Sequence, residues 1–493
     1  MDALDLTGSK ARISLPSLGW LRSAATANLA VAWVCGAAFA CIVRSFAVYW
    51  PYLTDYFVYD DFFFLRAVRN HSFLEVMSRA FTFPTPQPFD EVTLFWRPLI
   101  DLYFYVFRVF GIDPAPYHVA NVWLHGAVGA LAVLFIWRVT GSLFSGALTG
   151  LWFVVAPTYG FAVSWISQVS ELAGAAFILC ALISYHAYLT ADRPRLLYYS
   201  GTVLFTILAL LSKETTIILL VLLPALALAI SADERRRSMR EILWGVAPLA
   251  LLSAAFAAVM LTYQYREAGE GYRLGLHMKT NFWDYLRWLI LPNNYGWGEW
   301  WRGAGAALFL ALGAVALLRR QRMLAFFVLW TVVAILPFTP FDTWTERRYA
   351  YLATLPFTAF VVCAVVAIIA RLPRPLMLPS AALLALAVTT ALVVTPAQAR
   401  YVPSFLARTA AGYEAMVSGV RTLCGPMPSE SHVFIVNAPF NDYGGVHTRA
   451  AVNLYYERVY AAPVQELPGL AAFIEDKCVI RYERELRRYV RIE

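Results

Sequence analysis

The sequence predicts a polytopic α-helical membrane protein with about eleven transmembrane helices, and three observations support this fold class. The 493 residues are 60% hydrophobic and only 15% charged, with a mean hydropathy of +0.58. Soluble globular chains are about 45–50% apolar and about 25% charged, so a soluble core could not bury this much apolar surface. The other two observations are a series of long apolar runs and an uneven distribution of Lys and Arg between them.

The apolar runs have the length that a transmembrane helix requires. Each contains roughly 16 to 22 residues, and the shorter ones can be accommodated by helix tilt and local thinning of the bilayer. They lie at 23–43, 117–138, 142–160, 168–190, 196–211, 215–230, 241–262, 303–318, 323–340, 350–370 and 376–395. The first run follows Lys10, Arg12 and Arg22 without a clear cleavage site, which is typical of a signal anchor.

The basic residues gather in every second loop, as expected if no span is missed. They lie in the N-terminal segment, at Arg138 and in 192–195, 233–240, 319–322 and 371–374. This pattern predicts a cytoplasmic N-terminus and explains the net charge of +8 without a nucleic-acid partner. A single long helix through Lys213, instead of two short spans, would place every later loop on the opposite side of the membrane.

The same pattern predicts two domains, with all unusual loops on the outer face. Residues 1–395 form the membrane domain, with outer loops 44–116 and 263–302. In the first loop, Phe62 to Leu74 and Leu99 to Phe110 are aromatic and amphipathic, which indicates helices lying in the membrane interface. Residues 396–493 are expected to form a small α/β domain outside the membrane, with a strand at Val433–Val436 and a helix around Pro468–Asp476.

Cysteine and histidine patterns give no support to metal chemistry. The six cysteines include no CxxC pair, and GxGxxG, GxxxxGK[ST], HExxH and GxSxG are all missing from the sequence. No metal site and no cofactor is therefore assigned, although an assisting divalent cation stays open. In an oxidising compartment Cys424 and Cys478 could form a disulfide, and two buried thiols are the alternative.

Two adjacent carboxylates, Asp60 and Asp61, are the candidate catalytic residues. They occur in Tyr59-Asp60-Asp61-Phe62, immediately before the first interfacial helix. One carboxylate is suited to act as general base on an incoming hydroxyl, while its neighbour caps the helix N-terminus. The alternative is that both are caps or solvated loop charges.

Four residues on the predicted outer face are candidates for binding a phosphate. Arg97 precedes Pro98 at a helix start, where it could clamp a phosphate or extend to lipid headgroups. Lys213 interrupts a long apolar stretch, and charges at that depth are usually functional, although a pair with Glu214 at a helix turn is also plausible. Arg348 and Tyr349 enter a later span on the same face.

Several polar and aromatic side chains on this face are candidates for binding substrate. Gln168 and Glu171 begin another span and could reach a sugar hydroxyl or a neighbouring helix. Trp283 and Trp297 lie in the second long loop. Their rings could stack on a sugar, but Trp also gathers at membrane interfaces without any ligand.

Taken in order, these elements resemble the GT-C superfamily of membrane glycosyltransferases, in particular the protein O-mannosyltransferases and their tetratricopeptide-containing relatives. The aminoarabinose transferases are more distant relatives. The resemblance covers roughly residues 55 to 360. It rests on Tyr59-Asp60-Asp61, Arg97-Pro98-Leu99, Tyr117-His118 with Asn121 and His125, Ser164-Trp165-Ile166 with Glu171, Leu211-Ser212-Lys213-Glu214 and Glu346-Arg347-Arg348-Tyr349.

The resemblance implies a GT-C-like fold and an inverting transfer from a polyprenyl-phosphate sugar in the bacterial inner membrane. Asp60 resembles the family's catalytic acidic residue, Lys213 its lysine in a Ser-Lys-Glu context, and Arg348 with Tyr349 its Arg-Tyr pair. His125 would be a further substrate-binding residue. The chain departs from the family at Ala156, where relatives often carry histidine, and in lacking the tetratricopeptide repeats.

These departures leave the hydroxyl acceptor open among a protein, a glycan and a lipid. A flippase for lipid-linked saccharides would use similar cations and aromatic residues without a base, but no paired halves are visible in the sequence. A non-catalytic membrane scaffold would tolerate loss of both aspartates.

Overall fold

The computed structural model describes most of the chain. The described residues are 24–82, 85–86, 92–93, 96–156, 160–192, 196–230, 238–267, 273–290, 299–342, 345–399, 401–440, 442, 445–456, 458–466, 474–486 and 488–492.

The described residues form mainly helices. In chain order the α-helices are α1 (Ala24–Tyr49), α2 (Asp61–Arg69), α3 (Phe73–Ala80), α4 (Pro98–Phe107), α5 (Ala115–Thr140), α6 (Leu143–Val155), α7 (Gly160–Ser164), α8 (Val169–Thr190), α9 (Leu196–Ser212), α10 (Leu219–Ala229), α11 (Met239–Glu267), α12 (His277–Ile290), α13 (Glu299–Leu318), α14 (Arg322–Ile335), α15 (Tyr351–Ile369), α16 (Arg374–Ala399), α17 (Tyr401–Cys424) and α18 (Val446–Val452). The strands are β1 (Thr85–Pro86), β2 (Val92–Thr93), β3 (His432–Val436), β4 (Tyr460–Val464), β5 (Lys477–Glu483) and β6 (Arg488–Arg491).

Each of the eleven predicted apolar runs coincides with a helix, namely α1, α5, α6, α8 to α11 and α13 to α16. Within the described ranges, six helices are long and apolar enough to cross a membrane, and five further apolar helices are shorter. The chain is therefore an integral membrane protein, as expected. The count of eleven spans stays a prediction, because length and apolar composition alone support only the six longer helices.

The first loop contains helices where they were predicted, with one difference. The segment from Phe62 to Leu74 forms two helices, α2 and α3, rather than one. The break occurs because the Ser72 hydroxyl accepts the Glu75 N–H while the Glu75 carboxylate accepts the Ser72 N–H. This reciprocal cap satisfies two N–H groups at the start of α3 and favours a new helix over continuation of α2.

The membrane bundle packs closely where glycines replace larger side chains. Helix α1 packs against α5 and α6, and these two helices also pack against each other. A Cβ atom on Gly150 of α6 would lie 2.7 Å from the backbone oxygen of Gly129 in α5 and 2.5 Å from a methyl group of Val133. Small residues of this kind let helix backbones approach in a membrane, where dispersion contacts replace hydrophobic driving force.

The C-terminal residues form a small α/β domain, as predicted. Its four strands have the order β4-β3-β5-β6, with β3 parallel to both neighbours and β5 antiparallel to β6. The predicted strand at Val433–Val436 lies within β3. Most of the predicted helix at Pro468–Asp476 lies outside the described residues, and 474–476 are not helical. The sequence reading missed the 24-residue helix α17, which packs on β5 and β6.

The C-terminal domain shares a hydrophobic core with the first outer loop. Phe57 and Phe62 from the loop are fully buried in the same cluster as Tyr413 of α17 and Ile435 of β3. A disulfide between Cys424 and Cys478 joins the end of α17 to β5. The domain is therefore attached to the membrane bundle through packed side chains as well as through the chain itself.

The close approach at Gly150 is testable. Gly150→Val should destabilise the bundle by about 1–3 kcal/mol, because the added side chain would overlap the backbone of α5. Gly36→Val is the matched control, because a Cβ atom at Gly36 meets nothing within 4 Å. Thermal unfolding in detergent measures both. Equal effects at the two positions would contradict the packing described here.

Candidate active site

The two adjacent aspartates face different surroundings. Asp61 is buried, and its Oδ2 accepts the N–H of Val58 at 3.0 Å while its Oδ1 accepts the N–H of Ser167 at 2.8 Å. Burial raises the pKa of Asp61 to about 7, although both N–H bonds favour the ionised form. Asp61 thus anchors the first loop to the segment preceding α8, and its 1% exposure keeps it from an incoming group.

Asp60 keeps its carboxylate accessible at the start of α2. Its side chain is 47% exposed, and Oδ1 lies 3.3 Å from Nε2 of His447. Partial removal from water opposes ionisation of the Asp60 carboxyl. The hydrogen bond and charge of His447, together with the charges of Arg348 and Arg97, outweigh this effect. They hold the pKa of Asp60 below its usual value. Asp60 is therefore an ionised carboxylate with room for an incoming group.

The residue before Asp60 has a strained backbone. Tyr59 has a φ of +48°, which non-glycine residues rarely adopt. Its ring packs against Trp165 at 5.3 Å, Tyr413 at 6.0 Å and His447 at 5.5 Å between ring centroids. Strain of this kind persists only where neighbours hold it, and here it fixes the direction in which Asp60 leaves the turn.

Lys213 lies at a break between helices and is paired deep in the protein. Helix α9 ends at Ser212, and Lys213 has an extended backbone before a 3₁₀ turn. Its Nζ lies 2.6 Å from Oε1 of Glu171, and the two side chains are 2% and 1% exposed. Since Glu171 begins α8, the start of α8 and the end of α9 lie at the same end of the bundle.

Arg97 is held by the residue that follows Lys213. Its Nη2 and Nε donate to the two carboxylate oxygens of Glu214 at 2.7 and 2.9 Å. Both side chains are mostly buried. This bidentate pair connects the start of α4 to the helix break, so the first loop is attached to the bundle at a second point in addition to Asp61.

Arg348 contacts the Tyr349 phenol and the Trp165 ring. Its Nε is 2.7 Å from Glu346, its Nη2 donates to the Tyr349 hydroxyl at 3.1 Å, and its guanidinium lies 4.4 Å from the Trp165 ring centroid. Its Nη1 is buried without a hydrogen-bond partner among the described residues. The Tyr349 ring also faces Lys213 Nζ at 5.7 Å, which links the two cations.

The end of α7, the start of α8 and the segment between them present further unpaired polar atoms to this region. Buried atoms without a partner in the described part of the chain include the Ser164 hydroxyl, the Trp165 indole nitrogen, an oxygen of Gln168 and Oε2 of Glu171. Buried polar groups are nearly always satisfied in native proteins, by protein, water or ligand. Their clustering beside Arg348 and Lys213 indicates a polar binding region.

Two of the predicted substrate-binding residues, His125 and Trp283, lie away from these cations, and a third falls outside the described residues. His125 is buried in the bundle core, where its ring nitrogens lie 3.0 Å from the Tyr351 hydroxyl and 3.2 Å from the Val154 carbonyl oxygen. Trp283 lines a separate cavity with Arg287 and Trp300. Trp297 lies outside the described residues. Among the described members of this group, Glu171 contacts a cation directly, Lys213, and Gln168 lies one turn before it with a buried side-chain oxygen that has no partner among the described residues.

The sequence analysis missed His447, which reaches the site from the C-terminal domain. Its Nδ1 lies 2.8 Å from Oδ1 of Asp442, and Asp442 also accepts the Thr448 N–H through Oδ2 at 2.6 Å. Asp442 and His447 are five residues apart in sequence, on either side of the segment Tyr443-Gly444-Gly445-Val446. That spacing was the only local signal, and nothing in it pointed to Asp60.

Comparisons with known proteins support the fold. No protein-family model and no curated protein matches the chain. Among solved structures, the chain is similar to ArnT from Cupriavidus metallidurans, crystallised with undecaprenyl phosphate bound. The TM-score is 0.52 at 12% identity, covering 92% of this chain and 94% of ArnT. This likeness confirms that the chain shares the fold of ArnT, whereas membership of the GT-C superfamily and the O-mannosyltransferase subtype stay predictions.

The buried pair of Lys213 and Glu171 has a measurable consequence for stability. Lys213→Met should destabilise the protein by about 3–5 kcal/mol, because it leaves a buried carboxylate unpaired. Adding Glu171→Gln should recover much of this loss. Arg273→Met is the control, because its pair with Asp342 is 3.4 Å long and the Arg273 side chain is 58% exposed; its effect should stay below about 1 kcal/mol. Thermal unfolding with no recovery in the double variant would contradict the pairing.

Proposed function

We propose that this chain is an inverting glycosyltransferase that moves a sugar from a polyprenyl-phosphate donor to a hydroxyl acceptor. The observation that carries the proposal is the convergence of Asp60, Arg348 and Lys213 at one end of the bundle. The shared fold of ArnT, crystallised with undecaprenyl phosphate, supports the class of donor. Residues 1–395 would be the catalytic membrane domain and 396–493 the accessory outer domain.

Asp60 is the base in the proposed reaction. Its ionised carboxylate takes the proton of the acceptor hydroxyl while the acceptor oxygen forms a bond to the anomeric carbon. The bond between that carbon and the phosphate oxygen breaks, and its electron pair leaves with the polyprenyl phosphate. General-base catalysis needs a carboxylate that is ionised at the operating pH and reachable by the acceptor. Asp60 has both properties, whereas both oxygens of Asp61 hold backbone N–H groups.

The cations stabilise the departing phosphate. The Nη1 of Arg348 has no hydrogen-bond partner among the described residues, and the Lys213 ammonium carries three N–H donors, one of which reaches Glu171. In surroundings of low dielectric constant, donors aimed at a developing negative charge contribute more than they would in water. Arg97 contributes mainly charge, because Glu214 holds two of its nitrogens.

The proposed location is the bacterial inner membrane, with the site and the C-terminal domain on the outer side and the N-terminus in the cytoplasm. The disulfide between Cys424 and Cys478 supports this orientation, because disulfides persist in oxidising compartments. The remaining cysteines, Cys35, Cys41, Cys180 and Cys363, are free and lie in helices of the membrane bundle.

The assignment of Asp60 is tested with purified protein and a panel of polyprenyl-phosphate sugars, by measuring released polyprenyl phosphate. Asp60→Asn should lower transfer about 100- to 10,000-fold, because the amide cannot accept the proton. Asp113→Asn is the control, since this exposed carboxylate in the same loop only caps α5 through the Ala115 N–H. Undiminished transfer in Asp60→Asn would refute the assignment. Movement of lipid-linked saccharide without release would favour a transporter.

Arg348 should matter for the donor more than for the acceptor. Arg348→Lys keeps the charge but loses the planar group that stacks on Trp165 and bonds Tyr349. We expect the KM for the donor to rise about tenfold or more, with little change in the KM for the acceptor. Steady-state kinetics with each substrate varied in turn measure this, and an unchanged donor KM would count against a phosphate-binding role.

A further inference from the structure

His447 of the C-terminal domain lies within hydrogen-bond distance of Asp60, the candidate base. His447 is the second residue of α18, and its ring lies between two carboxylates, Asp442 and Asp60. Asp442 is fully buried and His447 is 21% exposed at the side chain, whereas Asp60 is open. The buried Asp442 carboxylate therefore holds the His447 imidazole in place, and the imidazole in turn contacts the accessible carboxylate of Asp60.

We propose that His447, oriented by Asp442, is a positioning residue for Asp60, so that the C-terminal domain completes the active site. The inference rests on the proposed function, because it assigns a role to a neighbour of the proposed base. It adds a contribution from residues beyond 396, which lie outside the segment that carries the family resemblance.

The imidazole is held by packing as well as by hydrogen bonds. Its ring centroid lies 5.5 Å from that of Tyr59 and 5.2 Å from that of Phe63. Tyr59 is the residue with the strained backbone, and its ring also packs against the ring of Tyr413 in α17. Two elements of the C-terminal domain, α17 and α18, thus support the turn from which Asp60 projects.

The charges around His447 favour its protonated form. The carboxylates that face it are Asp60 and Asp442, and the phenols of Tyr59 and Tyr413 lie nearby. Burial lowers the pKa of His447, but its hydrogen bonds to Asp442 and Asp60 and the charges of both carboxylates outweigh burial and raise this pKa to about 9. At neutral pH the ring is an imidazolium that donates from both nitrogens.

This arrangement leaves one oxygen of Asp60 for the reaction. The His447 Nε2–H occupies Oδ1, while Oδ2 has no hydrogen bond among the described residues. The acceptor proton moves to Oδ2 as the new bond to the anomeric carbon forms, and His447 keeps both of its protons throughout. The imidazolium, with Arg348 and Arg97, keeps Asp60 ionised at neutral pH, which a base requires.

The first test is the pH profile of transfer by the full-length enzyme. In His447→Gln the Asp60 pKa should rise by about one to three units, so the acidic limb of kcat/KM moves to higher pH. The value of kcat should fall about 10- to 100-fold from lost orientation, with an unchanged KM for the donor. Asp442→Asn should move the alkaline limb, set by His447 near pH 9 in the unmodified protein, to lower pH.

His432→Gln is the matched control. His432 begins β3 in the same domain and stacks on Tyr460, away from Asp60. A purely structural role of His447 would lower the amount of active protein and leave both limbs in place. Limbs that do not move in His447→Gln, in an active enzyme, would overturn the inference while leaving the proposed function standing.

The second test does not depend on transfer. Diethyl pyrocarbonate acylates imidazole in its neutral form and not in its protonated form, so the extent of His447 modification, measured by mass spectrometry at a series of pH values, reports its titration. The midpoint should lie near pH 9 and fall in both Asp60→Asn and Asp442→Asn. A midpoint near the ordinary histidine value of about 6.5 would overturn the inference. A midpoint near pH 9 in a protein that releases no polyprenyl phosphate from any donor would overturn the proposed function and, with it, the role of His447.

Discussion

The anchoring of Asp61 is the interaction on which the rest of the site depends. Its carboxylate joins the N–H of Val58 in the first loop to the N–H of Ser167, more than one hundred residues later. A buried carboxylate is costly unless such bonds satisfy it, so the two segments cannot separate without exposing or protonating it. Because Asp61 points inwards and the turn at Tyr59 is strained, the adjacent Asp60 is directed towards the open space.

A second constraint is that each cation of the site has its own carboxylate partner. Lys213 pairs with Glu171, Arg97 with Glu214 and Arg348 with Glu346. Without these partners, cations with so little exposure would carry a large desolvation cost. In the proposed function, a phosphate that enters this region would have to compete with carboxylates already in place.

The sequence predicted the elements far better than their partners. Apolar length and basic-loop asymmetry are local properties, and all eleven runs became helices. The pairing of Lys213 with Glu171 joins residues on different helices, and no local signal distinguishes a substrate-binding carboxylate from a buried counter-ion. His125 shows the same limit, because a histidine within an apolar span looks functional until its two core partners, Tyr351 and Val154, are known.

The first outer loop and the C-terminal domain each contain a helix boundary that the sequence-based prediction missed. The Ser72 to Glu75 cap was visible in the sequence and would have divided the first interfacial segment. Helix α17 was missed because its first half lies directly after the last apolar run, without a strong break. The contact between His447 and Asp60 could not be predicted, because it spans 387 positions and depends on how the domain docks.

The contact between the C-terminal domain and the first outer loop has an apolar part and a polar part, and the two differ in how much they stabilise the structure. Phe57, Phe62 and Tyr413 are buried in one cluster, and aromatic side chains of this size dominate the stability of an interface. The His447–Asp60 pair is partly exposed, and such pairs stabilise a structure by about 0–1 kcal/mol. The polar contact therefore adds little to attachment. Its effect is on the charge and direction of Asp60, and the apolar contacts keep the domain close enough for a weak contact to have that effect.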